Sequence, residues 1–84
     1  MENNAIKVRV FDLEHGLTEY ENVEFIRIVS TKYNLLIMKD YMPIIGEIDG
    51  TLNIKGNGVD LNFDKLDAYY IHKDNVFNLM IKEL

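Results

Sequence analysis

The sequence predicts an all-β fold, a single compact β-sandwich of about eight to ten short strands formed by residues 1–84. Apolar and polar residues alternate over short stretches, as on strands with one buried face. Turn-forming residues interrupt these stretches about every eight to ten positions. No long amphipathic helix is indicated, so coiled-coil and helix-in-groove roles are not expected.

The alternation is clearest near the N-terminus, where Ile6, Val8 and Val10 would share one face of a strand. It blurs around Ile28, which predicts burial on both faces or a β-bulge. An uninterrupted apolar run from Leu35 to Met38 favours a covered strand. The other predicted strands are Leu17–Tyr20, Val23–Val29, Thr51–Lys55, Val59–Phe63, Ala68–Ile71 and Val76–Lys82.

Glycine, asparagine and proline mark the predicted turns. The strongest hairpin signal is the pair Asn57 and Gly58, since both residues tolerate positive φ. A second turn is predicted at Asp49 and Gly50. Pro43 cannot donate to a ladder, so it belongs at the start of a strand or on an edge. The segment Asp64–Tyr69 has an alternative interpretation as one helical turn, with Asp64 as its N-cap.

Composition excludes several classes of function. The chain has 84 residues, 14 acidic and 9 basic, with a net charge of −5, which disfavours nucleic acid and anionic bilayers as partners. It has no cysteine and therefore no disulfide or thiolate site. The absence of a long apolar run and of a signal peptide at residues 1–4 predicts a cytoplasmic protein. Abundant Ile, Asn, Lys and Tyr, which have AT-rich codons, favour a bacterial source.

No set of residues indicates catalysis, a metal or a cofactor. Ser30 and three threonines would need a histidine base, but His15 and His72 fall in predicted turns, where solvated histidines are expected. Glu47 and Asp49 face one way on a strand, and acids beside turns are usually only solvated. The cluster at 12–15 offers too few nitrogen ligands for zinc, and the glycines at 56 and 58 open no helix for a phosphate loop. We therefore predict a protein that is not an enzyme.

One family matches in order and spacing. The segments 7–11 and 20–26 resemble its first strands, and the run Asn34–Met38 followed by Tyr41-Met42-Pro43 lies where that family has an apolar strand and a His-Ala-Pro motif. A stretch from Ile44 to Gly50-Thr51-Leu52 then precedes an alternating strand, and 69–79 are similar to its end. By these motifs the chain resembles the N-terminal β-sandwich of the epsilon subunit of F-type ATP synthases, without that family's C-terminal helical hairpin.

The resemblance implies a non-catalytic module of the rotor stalk, whose partners are the gamma subunit and the membrane ring. It maps Asn34, Tyr41 and Ile45 onto ring-facing positions. The sequence itself adds Met42, because the segment from Tyr33 to Ile45 holds more apolar residues than one strand face can bury, and Met and Tyr are enriched at interfaces. The alternative is a small stand-alone β-sandwich interaction protein, of the kind carried by mobile elements. No cofactor is expected in either case.

Overall fold

The computed structural model describes residues 5–83, and these form six β-strands. Residues 1–4, where the sequence indicates no signal peptide, lie outside the described part of the chain, as does residue 84. The strands are β1 (Ile6–Asp12), β2 (Gly16–Ser30), β3 (Asn34–Met38), β4 (Ile44–Gly56), β5 (Val59–Lys73) and β6 (Val76–Glu83). The all-β prediction is confirmed.

The sheet closes into a barrel. The strands follow the order β1-β6-β5-β4-β2-β3, and an additional pairing of β1 with β2 completes a ring of five strands. All neighbours are antiparallel except β1 and β6, which run parallel. Strand β3 stands outside the ring and pairs with the second half of β2, beyond the segment that pairs with β1. The predicted sandwich of eight to ten strands is therefore wrong, and a barrel replaces it.

Alternating side chains fill the inside of the ring. Each of its five strands contributes fully buried residues, among them Val8, Ile26, Ile48, Ala68 and Leu79. The predicted inward face of β1 is confirmed, because Ile6, Val8 and Val10 are buried while the residues between them point outward. Closure leaves the ring strands with few free edges, which is how a small β domain avoids unpaired backbone groups.

The strand count was overestimated because turn-forming residues occur inside long, bent strands. Asn22 has a φ of 64° next to a register shift between Val23 and Phe25, where β2 changes partner from β1 to β3. Gly50, where a turn was expected, likewise lies inside β4, and the register between β4 and β5 shifts between Gly50 and Leu52. A Cβ at Gly50 would collide with the backbone carbonyl oxygen of Val29, so this close approach requires glycine. These bulges bend the strands enough to close the ring.

The short hairpins agree better with the prediction. Asn57 and Gly58 connect β4 to β5 as expected. Asp74 and Asn75 connect β5 to β6, and their φ angles of 52° and 62° fit a two-residue turn of type I′. The alternative helical turn at 64–69 is absent, since this segment continues β5 through a bulge at Lys65 with a φ of 56°. Pro43 directly precedes β4, as predicted.

Candidate protein-interaction surface

An apolar surface lies on the outside of the barrel where β4 and β5 pair. Ile45 and Ile71 are cross-strand partners that both point outward, with exposed fractions of 77% and 40%. Met42, in the loop before β4, is 67% exposed, and Tyr69 lies two positions before Ile71 on the same face of β5. We call Met42, Ile45, Tyr69 and Ile71 the β4–β5 face. Large apolar side chains grouped on a rigid sheet are typical of an interaction surface.

A charge network borders the β4–β5 face. The Lys82 ammonium lies 2.6 Å from a Glu47 carboxylate oxygen and 2.9 Å from an Asp67 carboxylate oxygen. It also lies 4.1 Å from the centre of the Tyr69 ring. The hydrogen bond to Glu47 and then that to Asp67 raise the pKa of Lys82. The network fixes Tyr69 beside a cation, a favourable contact for an aromatic ring.

The loop that carries Met42 is anchored at its start. The Asp40 backbone N–H donates to the Asn75 side-chain oxygen at 2.7 Å, and the Asn75 amide donates back to the Asp40 carboxylate at 3.2 Å. The Tyr41 N–H donates to the Met38 carbonyl at 3.1 Å. The Tyr41 ring packs partly against the core, with its centre 6.4 Å from that of His72. Met42 is thus presented outward by a loop tied to the β5–β6 turn.

Polar aromatic residues lie beneath this loop. The Tyr33 hydroxyl donates to the Glu47 carbonyl at 2.7 Å and lies 3.1 Å from the Tyr70 hydroxyl. Burial, followed by the contact with Tyr33, raises the pKa of Tyr70. Its ring also stacks on Phe77, with 5.3 Å between the ring centres. The contact between Tyr33 and the Glu47 carbonyl joins the chain before β3 to β4, which stabilises the sheet that carries Ile45.

His72 is the main departure from the sequence-based expectation. It was predicted in a solvated turn, but β5 extends to Lys73 and buries the His72 ring completely. Neither ring nitrogen has a hydrogen-bond partner among the described residues. Burial lowers the pKa of His72, because the uncharged environment disfavours the imidazolium. The turn expected at 72–75 consists of Asp74 and Asn75 alone. His72 therefore belongs to β5, and its side chain points into the core instead of into water.

The four residues predicted to bind a partner lie at different depths. Met42 and Ile45 are strongly exposed and close together in the chain. Tyr41 is half-buried with its ring against the core. Asn34 is exposed on β3, two strands away from β4. The sequence missed Ile71 and Tyr69, because it gave no register that would bring them beside Ile45 and Glu47.

The groups considered for chemistry are dispersed or engaged in local structure. His15 is exposed, and its Nδ1 lies 2.8 Å from an Asp12 carboxylate oxygen. This hydrogen bond raises the pKa of His15 and lowers that of Asp12. The Ser30 hydroxyl contacts backbone atoms of Asp49. Within residues 5–83, no three His, Asp or Glu side chains group closely enough to hold a metal ion, and no helix is suited to crossing a membrane.

A second apolar surface lies at the β1–β2 turn. Leu13 at its tip is 94% exposed, and a shallow groove of about 400 Å³ beside it is lined by Phe11, Leu17 and Met80 among others. Phe11 pairs with Leu17 across β1 and β2 and with Met80 across β1 and β6. Met80 borders both surfaces, because it pairs with Tyr69 across β5 and β6. Leu13 lies in the β1–β2 turn, and β1 is two strands from β4 through β2, so a change at Leu13 tests this surface without altering the β4–β5 face.

Comparison with known proteins gives a match in structure alone. No protein-family description matches this chain, and no curated protein does. Eleven chains of solved structures match it. One belongs to the cryo-EM structure of the central stalk and c-ring of the Tetrahymena thermophila mitochondrial ATP synthase, with a TM-score of 0.75 and 14% identity over 99% of this chain and 67% of that chain. At this identity the similarity shows a shared fold.

These findings correct the family assignment. The resemblance to the epsilon N-terminal β-sandwich is wrong, because the sheet closes into a five-stranded barrel and the structural match is to a mitochondrial central stalk and c-ring. The mapping of Asn34, Tyr41 and Ile45 onto ring-facing positions loses its basis with it. That the protein is not an enzyme stays a prediction, because similarity at 14% identity shows the fold alone.

Proposed function

We propose that this protein is a non-catalytic interaction module of a rotor-type assembly and that it docks on a protein partner through the β4–β5 face. The observation that carries the docking surface is the exposed pair Ile45 and Ile71 with Met42 beside it. The fold similarity to a central-stalk and c-ring structure supports the type of assembly. A cytoplasmic location remains part of this proposal.

The geometry suits docking because the anchors are held in place before binding. Ile45, Ile71 and Tyr69 stand on paired strands, and the hydrogen bonds between Asp40 and Asn75 hold the loop of Met42. Binding therefore orders few side chains, and preorganisation of this kind favours affinity. Lys82 already pairs with Glu47 and Asp67, so the rim needs no specific countercharge from the partner. We infer that the partner offers a mainly apolar surface.

The test measures binding to purified central-stalk proteins and c-ring from the organism that encodes the chain. Ile45→Lys and Met42→Lys should each weaken the complex by about 1–2 kcal/mol, as loss of an anchor does. Leu13→Lys is the matched control, because it makes the same change at an exposed leucine outside the β4–β5 face. Circular dichroism should show all three variants folded. If Leu13→Lys alone abolishes binding, the docking surface is the groove at the β1–β2 turn.

The second candidate is a stand-alone interaction protein outside any rotary assembly. It is favoured by the low identity of 14% to the stalk and c-ring structure, because similarity at that level establishes a shared fold and no shared partner. The two candidates share the β4–β5 face and differ in the partner. Binding to neither stalk nor ring protein, together with an Ile45-dependent complex with another protein of the same organism, would select the second.

A further inference from the structure

Strand β3 has an open edge. Among the described strands it pairs with β2 alone and ends the strand order, whereas each of the other five pairs with at least two strands. Its backbone groups on the side away from β2 face no strand. Unpaired strand edges are templates for pairing with another chain, and proteins usually protect them with charges, proline or bulges. β3 has the sequence Asn-Leu-Leu-Ile-Met, with no charge and no proline, and its pairing with β2 is regular.

The side chains of β3 also favour an additional strand. Leu36 and Met38 point outward and are 42% and 53% exposed, while Ile37 is buried. Phe25 on β2 is the cross-strand partner of Met38 and continues the apolar row. The apolar run that predicted a covered strand is thus found on an edge strand. If a further strand paired with β3, every second side chain of that strand would lie on the same face as Leu36 and Met38 and pack against them.

The charged residues near β3 indicate which kind of segment could pair with it. The segment from Phe25 to Lys39 contains three basic residues and no acidic one, in a chain with 14 acids and 9 bases. Arg27 is exposed and pairs with Leu36 across β2 and β3, and Lys32 is exposed in the turn before β3. The nearest acids in sequence, Glu24 and Asp40, lie beyond the Met38 end. Arg27 therefore lies beside the middle of β3 and Lys32 beside its Asn34 end, where both complement acidic side chains. Asp49, whose backbone bonds Ser30 and Thr31, is the acidic residue nearest that turn.

We propose that the open edge of β3 binds an extended segment of a partner protein by strand addition, and that this segment alternates apolar and polar residues and carries an acidic residue at the end that lies beside Lys32. Backbone hydrogen bonds supply the pairing, and the outward side chains and Arg27 select the sequence. This site lies apart from the β4–β5 face and does not depend on it. One barrel would then hold two partners, or two parts of one partner.

The test titrates isotope-labelled protein with an acetylated, amidated nonapeptide in which valine and threonine alternate between terminal aspartates. We expect saturable shifts of the β3 amides. Two further peptides carry N-methyl groups on alternate amides, either the odd or the even set. One set faces β3 and the other faces solvent, so one peptide should lose at least tenfold in affinity and the other should stay within threefold.

Charge variants provide the second arm. Lys32→Glu combined with Arg27→Glu should weaken the aspartate peptide at least fivefold and strengthen a lysine-ended peptide. Lys65 is exposed on β5, three strands away from β3. Lys65→Glu, which also replaces a positive charge with a negative one, should alter the affinity less than twofold. Equal binding of both methylated peptides, shifts that map outside β3, or no saturable binding overturns the proposal. A dimer in sedimentation that Leu36→Lys dissolves also overturns it, because a second copy then occupies the edge.

Discussion

Replacing His72 with phenylalanine should stabilise the protein. The His72 ring is fully buried, with ring centres 6.4 Å from Tyr41 and 6.1 Å from Phe77, and neither nitrogen has a hydrogen-bond partner among the described residues. A buried unsatisfied polar group costs about 1–3 kcal/mol. Phenylalanine keeps a planar ring among aromatic neighbours and removes both polar nitrogens. Its slightly larger volume offsets part of the gain, so we expect about 1–2 kcal/mol more stability at pH 7.5.

The same substitution should change the pH dependence of stability. Burial lowers the pKa of folded His72 below its ordinary value of 6.5. An unfolded chain therefore binds a proton below pH 6.5 that the folded chain excludes, and His72 makes unfolding easier as the pH falls. The slope from this one group reaches at most about 1.4 kcal/mol per pH unit. Above pH 6.5 both states are neutral, and the effect of His72 on the slope vanishes.

Urea unfolding between pH 4.5 and 8 measures both effects. The His72→Phe variant should lose stability more gradually below pH 6.5 than the original chain. His15→Gln is the control with the opposite sign, because Asp12 raises the pKa of folded His15. The stability from protonated His15 is present below pH 6.5 and lost as the pH rises through its raised pKa. If His72→Phe destabilises the protein and leaves the slope below pH 6.5 unchanged, the ring nitrogens are satisfied in solution and the reasoning fails.

Three further predictions concern the bulges and the loop. Gly50→Ala should cost about 1–3 kcal/mol in urea unfolding, because the new Cβ would meet the Val29 carbonyl oxygen and a strand must move; a neutral result would show that β4 relaxes freely. Tyr33→Phe should cost about 1 kcal/mol, since the Glu47 carbonyl loses its donor at 2.7 Å, and an unchanged midpoint would refute that. Asn75→Gly keeps the positive φ but removes both side-chain bonds to Asp40; amide exchange should quicken in loop 39–43, and equal exchange rates would contradict the anchoring role.

Local patterns predicted the strands and failed to predict how they combine. The inward face of β1 and the hairpin at Asn57 depend on neighbours in sequence, and both were correct. Gly50 and Asn22 were harder, since a residue that permits positive φ or close approach fits a turn and a bulge equally well. Whether such a residue forms a turn or a bulge is decided by the pairing of β2 with β4, which the sequence alone does not give. Predicted strands therefore merged within β2 and within β5, and β4 continues through the turn predicted at Gly50. The pairing of β1 with both β2 and β6, which the sequence did not indicate, closes the barrel.

The candidate surface shows the same limit. Met42 was identified because its segment holds an excess of apolar residues, which is a property of the chain alone, whereas Ile45 was identified through a family resemblance that the structure corrects. Ile71 was not identified, because its place beside Ile45 follows from the β4–β5 register. His72 was misplaced by two residues of hairpin length, which changed a solvated ring into a buried one. Errors of one or two residues are small for a fold and decisive for the environment of a titratable group.

The position of His72 connects core stability with the proposed docking surface. Tyr41 packs against the His72 ring, and the next residue in the chain is Met42, which belongs to the β4–β5 face. The bonds between Asp40 and Asn75 hold the start of the same loop. Met42 is thus held outward by the packing of Tyr41 against the core and by these two hydrogen bonds, so changes at His72 and at Asn75 both act on the loop that carries it.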